Sequence, residues 1–98
     1  MTVEHDADRR RFVVRLDGDE AYLQYQPLGP ALLDFESTYV PDHLRGRGVA
    51  TAIVRHALEY ARAEALRVRP TCWFVKEIIE RYPEYAPIGE GGTGKGEG

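Results

Sequence analysis

The sequence predicts an α/β (α+β) fold: an antiparallel meander of three strands, a long helix, a parallel fourth strand splayed from the third, and a short C-terminal helix. Three observations lead there. Between Phe12 and Val40 apolar residues alternate at period two and are interrupted by turn sequences, whereas from Ala50 to Ala61 they recur at helical spacing. The order strand, long amphipathic helix, strand over the middle of the chain is that of a right-handed crossover joining parallel strands. Pro70 falls inside the last strand and cannot donate to a ladder, so that strand lies at an edge or parts from its neighbour there.

The elements follow in order. Residues 1–8 are polar and are expected to fray. Phe12, Val14 and Leu16 alternate with Val13, Arg15 and Asp17 in a first strand, and Asp17-Gly18-Asp19 is a hairpin turn. Glu20 to Gln26 forms the second strand, with Ala21, Leu23 and Tyr25 inward. Pro27-Leu28-Gly29-Pro30 turns the chain again. Ala31 to Val40, richer in Leu, Phe, Tyr and Val, is the third strand. A helix from about Gly46 to Ala65 follows, its buried stripe being Ala50, Ile53, Val54, Ala57, Leu58 and Ala61. Arg55–Glu59 and Glu59–Arg62 are spaced as exposed pairs one turn apart. Leu66 to Trp73 is the fourth strand, and Phe74 to Tyr82 a short helix stopped by Pro83, with Trp73 and Phe74 packing beneath it. The folded domain is thus residues 1–88. Residues 89–98, six glycines among ten, cannot bury a core and are expected to be disordered. Gly89 with Gly94-Lys95 mimics a phosphate-binding P-loop, but Gly96 stands where Ser or Thr is required and no strand or helix flanks it.

Composition narrows the function. Ninety-eight residues make one small domain, and a net charge of −3 gives no electrostatic case for a nucleic-acid partner. No apolar run approaches the roughly 18 residues of a membrane span, and the N-terminus has no apolar signal core. One cysteine, Cys72, excludes an internal disulfide and fits a reducing compartment, by default the cytoplasm. His5, His43, His56 and Cys72 lack metal-ligand spacing, so no metal is expected.

The chemistry concentrates at Val40-Pro41-Asp42-His43-Leu44-Arg45-Gly46-Arg47-Gly48-Val49-Ala50, where the third strand meets the long helix. A helix start ordinarily favours acids, because its free N–H groups and macrodipole are partly positive. Here the first turn carries Arg45, Arg47 and two glycines but no acid, and each glycine costs roughly 0.5–1 kcal/mol of backbone order. A ligand that satisfies such a stretch is an anion, a phosphate or diphosphate held by bare amides and guanidiniums. A solvated tight turn is the plainer reading. The position favours a site, since ligands of open α/β sheets lie at the carboxyl ends of the strands.

Arg45-Gly46-Arg47-Gly48-Val49-Ala50 fits the [Q/R]-x-x-G-x-[G/A] signature of the GCN5-related N-acetyltransferase (GNAT) superfamily, which the chain resembles. Val40-Pro41 with Leu44-Arg45-Gly46, Thr71-Cys72-Trp73-Phe74-Val75 and Tyr82-Pro83-Glu84-Tyr85 are similar to a group of very small single-domain members, over roughly residues 10–88. The resemblance implies a minimal GNAT fold without the helical insertion that helps larger relatives bind substrate. It implies acetyl-coenzyme A (acetyl-CoA) as cosubstrate, an amine acceptor, and a diphosphate held at Val40, Arg45, Gly46, Arg47, Gly48, Val49, Ala50 and Thr51. The thioester carbonyl would be polarised by a backbone N–H near Tyr39 or Val40. Members of this group place a cysteine near the acetyl group, so Cys72 is either a nucleophile or a pocket-lining residue. Many of them carry His-Thr where this chain has Ser37-Thr38, which removes that histidine as a base.

Other candidates keep two readings each. Glu36 either deprotonates the amine through water or points to solvent. Tyr82 and Tyr85 either protonate the departing sulfur or pack with a polar tip. His43 and His56 read as surface residues. For the whole chain, an enzyme that acetylates a primary amine on a small molecule or protein competes with a coenzyme-binding module that has little turnover. RNA binding through Arg45–Gly48 is a weaker third reading, against the negative net charge.

Overall fold

The structure, a computed structural model, describes residues 1–90. Five strands form one sheet in the order β1 (Glu4–Asp6), β2 (Arg11–Leu16), β3 (Asp19–Pro27), β4 (Leu32–Tyr39) and β5 (Arg67–Arg69). The first three pairings are antiparallel and β4–β5 is parallel. Helix α1 (Val49–Ala63) links β4 to β5, and α2 (Trp73–Arg81) follows β5. Short 3₁₀ turns at Asp42–Leu44 and Pro83–Ile88 complete the chain. The predicted fold class is therefore the one observed.

Burial explains the arrangement. Phe12, Val14, Ala21, Leu23, Tyr25, Leu33 and Phe35 cover one face of the sheet. Ile53, Val54, Ala57, Leu58 and Ala61 of α1 join the same core, with Val75 and Ile78 of α2 and with Tyr85. At about 25 cal/mol per Å² of apolar surface removed from water, this single cluster is the main source of stability for so small a chain.

Several expectations need correction. Residues 1–8 do not all fray: Glu4–Asp6 pair with Arg11–Val13, and the His5 ring stacks on Phe12 with centroids 4.2 Å apart. Val13, expected outward, is buried in register between Glu4 and Tyr22. Helix α1 starts at Val49, three residues later than expected, because Gly46 and Gly48 adopt left-handed backbone with φ 77°. The last strand is only Arg67–Arg69, since Pro70 ends it. Gly89 and Glu90 continue the domain: Gly89 bridges Val68, and the Glu90 amide donates to the Val68 carbonyl at 2.7 Å. The rest of the Gly-rich tail, residues 91–98, with the P-loop mimic, lies outside the described residues.

On α1, Glu59 pairs with Arg62 at 3.2 Å as expected. Arg55 instead reaches Glu84 at 3.5 Å, and both Arg55 and Glu59 bond the Tyr85 hydroxyl. That shared hydroxyl ties the turn after α2 to the middle of α1.

Candidate functional site

Two local features open a cavity at the carboxyl end of β4. The first is a bulge. Gln24 pairs with Ser37 but Tyr25 pairs with Phe35, so Glu36 has no partner across the ladder. One extra residue reverses which side chains face the core. Leu33 and Phe35 face it before the bulge, whereas beyond it Thr38 lies opposite the buried Leu23. Ser37 and Tyr39 turn to the helix-free face, where Tyr39 packs on Tyr22 with centroids 5.5 Å apart.

The second is the splay. Parallel pairing stops at Asp34–Arg69, and the Cys72 amide donating to the Phe35 carbonyl at 3.0 Å is the last backbone tie from the following segment to β4. Thr38 Oγ1 lies 3.5 Å from Cys72 Sγ across the opening. Among the described residues no histidine or carboxylate bonds that sulfur.

The loop between them hangs on buried anchors. Leu44 and Val49 are inaccessible to solvent, while Arg45–Gly48 are exposed. The α1 ladder begins with the Ala52 amide donating to the Gly48 carbonyl at 3.0 Å, so Val49, Ala50 and Thr51 have no acceptor within the helix for their N–H groups. No side chain caps this terminus and its first turn holds no acid. A Cβ built on Gly46 or Gly48 would meet nothing within 4 Å. The glycines are therefore needed for backbone conformation and open space, not for close packing. Bare amides at the positive end of a 15-residue helix, beside an arginine, suit a diphosphate.

These features enclose one cavity of about 550 Å³. Its wall comprises the loop and helix start (Leu44, Arg45, Gly46, Gly48, Val49, Ala50, Thr51), the strand end (Thr38, Val40), and Cys72, Trp73 and Phe74. Val40, Arg45, Gly46, Gly48, Val49, Ala50, Thr51 and Cys72 are thus brought together. Arg45 Nε donates to the Val40 carbonyl at 3.1 Å, closing the loop onto the strand end.

Other candidates lie elsewhere. Arg47 turns away from the cavity and pairs with Asp17 at 2.8 Å. Glu36 occupies the bulge outside the wall, and the Tyr39 side chain is on the opposite face. Tyr85 is fully buried, its hydroxyl donating to Glu59 at 2.9 Å; Tyr82 lies under the Arg55 guanidinium, 4.1 Å from its ring centroid. Both are packing residues. Trp73, expected in the core, is 74% exposed at the cavity rim. Thr38 was not singled out in the sequence. The signal for it was faint: apolar alternation in β4 ends at Phe35, where the bulge begins.

Among the described residues no group of three or more His, Cys, Asp or Glu could hold a metal. No described helix is long and apolar enough to cross a membrane.

The chain belongs to the GCN5-related N-acetyltransferase family, whose model, described as GCN5-related N-acetyl-transferase, matches residues 11–88. It is 42% identical over 85 residues to the protein named NATD1 of Bos taurus, covering 85% of this chain and 75% of that one. The NATD1 proteins of Homo sapiens and Danio rerio are 41% and 35% identical over the same length, with 85% of this chain covered and 75% and 77% of theirs. The NMR solution structure of a GCN5-like protein from Staphylococcus aureus has the same fold, with a TM-score of 0.72 over 92% of this chain and 88% of that one at 23% identity.

Proposed function

We propose that this chain transfers an acetyl group from acetyl-CoA to a primary amine of a small molecule or a protein, in a reducing compartment such as the cytoplasm. One observation carries the proposal: a single cavity joins the uncapped start of α1 to the gap between the ends of β4 and β5. The free amides of Val49–Thr51 with Arg45 hold the diphosphate, and the coenzyme brings an activated thioester. A backbone N–H near Tyr39 or Val40, where β4 has run past its pairing with β5, polarises its carbonyl. The amine nitrogen then bonds the acetyl carbon, the carbon–sulfur bond breaks, the thiolate departs and the amine proton passes to solvent.

No wall residue is a carboxylate or an imidazole. Positioning and amide polarisation therefore supply the acceleration, and the acceptor must enter deprotonated. The expected pH profile follows: turnover rises with pH along the acceptor's own amine titration. A profile that departs from the acceptor's own titration would point to an enzyme base acting through water.

The test is mass spectrometry of amine pools and lysate proteins incubated with the chain and acetyl-CoA. Acetylation that requires the chain supports the enzyme. Coenzyme release no faster than buffer across a broad amine panel supports the second reading, a coenzyme-binding module; the same absence of a wall base, with Ser37 in place of the common histidine, favours it.

A further inference from the structure

The hairpin joining β2 to β3 is tied to the loop that precedes α1. Arg47 Nη1 donates to Asp17 Oδ2 at 2.8 Å, and His43 Nε2 lies 3.9 Å from Asp19 Oδ2. His43 and Arg47 stand on the loop on either side of the buried Leu44, and the Arg47–Asp17 bond is the tie. The hairpin tip is itself held in left-handed backbone at Asp17 (φ 55°) and Gly18 (φ 77°). Left-handed backbone is uncommon at a residue other than glycine, although Asp tolerates it better than most.

Arg47 stands between Gly46 and Gly48, both at φ 77°. The two glycines border the cavity and Arg47 does not. Its side chain is therefore anchored outside the site that its neighbours form. A turn with two glycines has the most permissive backbone available and loses its shape most readily. Donors already fixed in place bind a ligand more tightly than donors that must be ordered on binding.

We propose that Asp17 and Arg47 are positioning residues: their ion pair fixes the Gly46–Gly48 turn so that the amides at the start of α1 stay open to the diphosphate, and Arg47 does not itself contact it. The inference rests on the coenzyme reading above. Both side chains are about half exposed, at 47% and 54%, so the pair adds little to overall stability. Its effect is on the local shape of the turn.

The experiment is calorimetric titration of acetyl-CoA into the wild-type chain, Asp17→Asn, Arg47→Gln and the double variant. Backbone NMR order parameters at Gly46 and Gly48 are measured in the ligand-free proteins. Each single variant should bind about two- to fivefold more weakly, the range an exposed ion pair supports. The double variant should bind no more weakly than either single one, because a pair can be lost only once. Order parameters at the two glycines should fall in all three variants, while the ligand-free melting midpoint moves by no more than a few degrees. If Arg47→Gln weakens binding and Asp17→Asn leaves it unchanged or tightens it, Arg47 grips the phosphates and the proposal is wrong. Additive losses, or unchanged order parameters at the two glycines, overturn it as well. A wild-type chain that takes up no coenzyme overturns the function proposed above, while the order parameters still report whether the pair shapes the turn.

Discussion

At Gly48 the backbone does what a side chain would do in most binding sites. Its left-handed conformation delays the helix to Val49 and leaves three amides uncommitted. Gly48→Ala adds a Cβ that meets no neighbour, so its cost is the left-handed strain alone, roughly 1–2 kcal/mol. Gly48→Glu adds bulk and a negative charge at the anion site. It should stay folded by circular dichroism and lose all stabilisation by acetyl-CoA; a retained shift would place the diphosphate elsewhere. Cys72 lies beside Thr38 with no base bonded to its sulfur among the described residues, and we assign it to the pocket lining. Cys72→Ala should keep most turnover, and intact mass after incubation with acetyl-CoA should show no acetyl adduct on the wild-type thiol. An adduct lost in Cys72→Ala would make it the nucleophile. The glycine pair and the missing acids were legible in the sequence because they violate helix-start preferences. The direction of Arg47 was not, since a sequence shows that a charge exists but not which partner claims it. Trp73 was misread for a related reason: an aromatic at a helix start reads as core until the packing around it is known.

At the level of elements, the strands and helices with strong periodicity were legible and the short ones were not. Three-residue β1 has no room for alternation, and it is secured by His5. That ring stacks on Phe12, meets Tyr60 edge-on at 4.6 Å, and its Nε2 lies 2.6 Å from the Tyr25 hydroxyl. Burial, then the nearby His56, hold its pKa below 6.5, while Asp6 pulls the other way. The sign follows from which state takes protons first. Above 6.5 both folded and unfolded chains carry neutral His5 and the contribution is whole. As pH falls below 6.5 the unfolded chain is protonated first, so stability drops until pH passes the lower folded value, and then levels. Melting midpoints measured from about pH 7 to 5 should fall more steeply for the wild-type chain than for His5→Gln. Parallel curves would mean that β1 is not held through this ring. The bulge at Glu36 was the costliest omission, because it moves Thr38 into the cavity wall and leaves no mark in composition.

Across the molecule, one core holds the sheet against two helices, and the loops at one end of that sheet form the site. Topology was readable because a meander, a crossover helix and a proline-broken strand admit few arrangements. The cavity itself was half readable: Pro70 announces the splay of the last strand, whereas the bulge is revealed only by three-dimensional pairing. A domain this small has a thin margin of stability, so a bound ligand should shift its melting strongly. Acetyl-CoA at about 100 times its dissociation constant adds about 2.7 kcal/mol, which for a chain of this length is on the order of 10 °C or more. The decisive measurement is therefore the melting midpoint of the wild-type chain titrated with acetyl-CoA, beside Gly48→Glu. A saturable rise of that size in the wild-type chain, absent in the variant, is the result expected. A midpoint that does not move at saturating acetyl-CoA would contradict the assignment of the helix start as a coenzyme cradle.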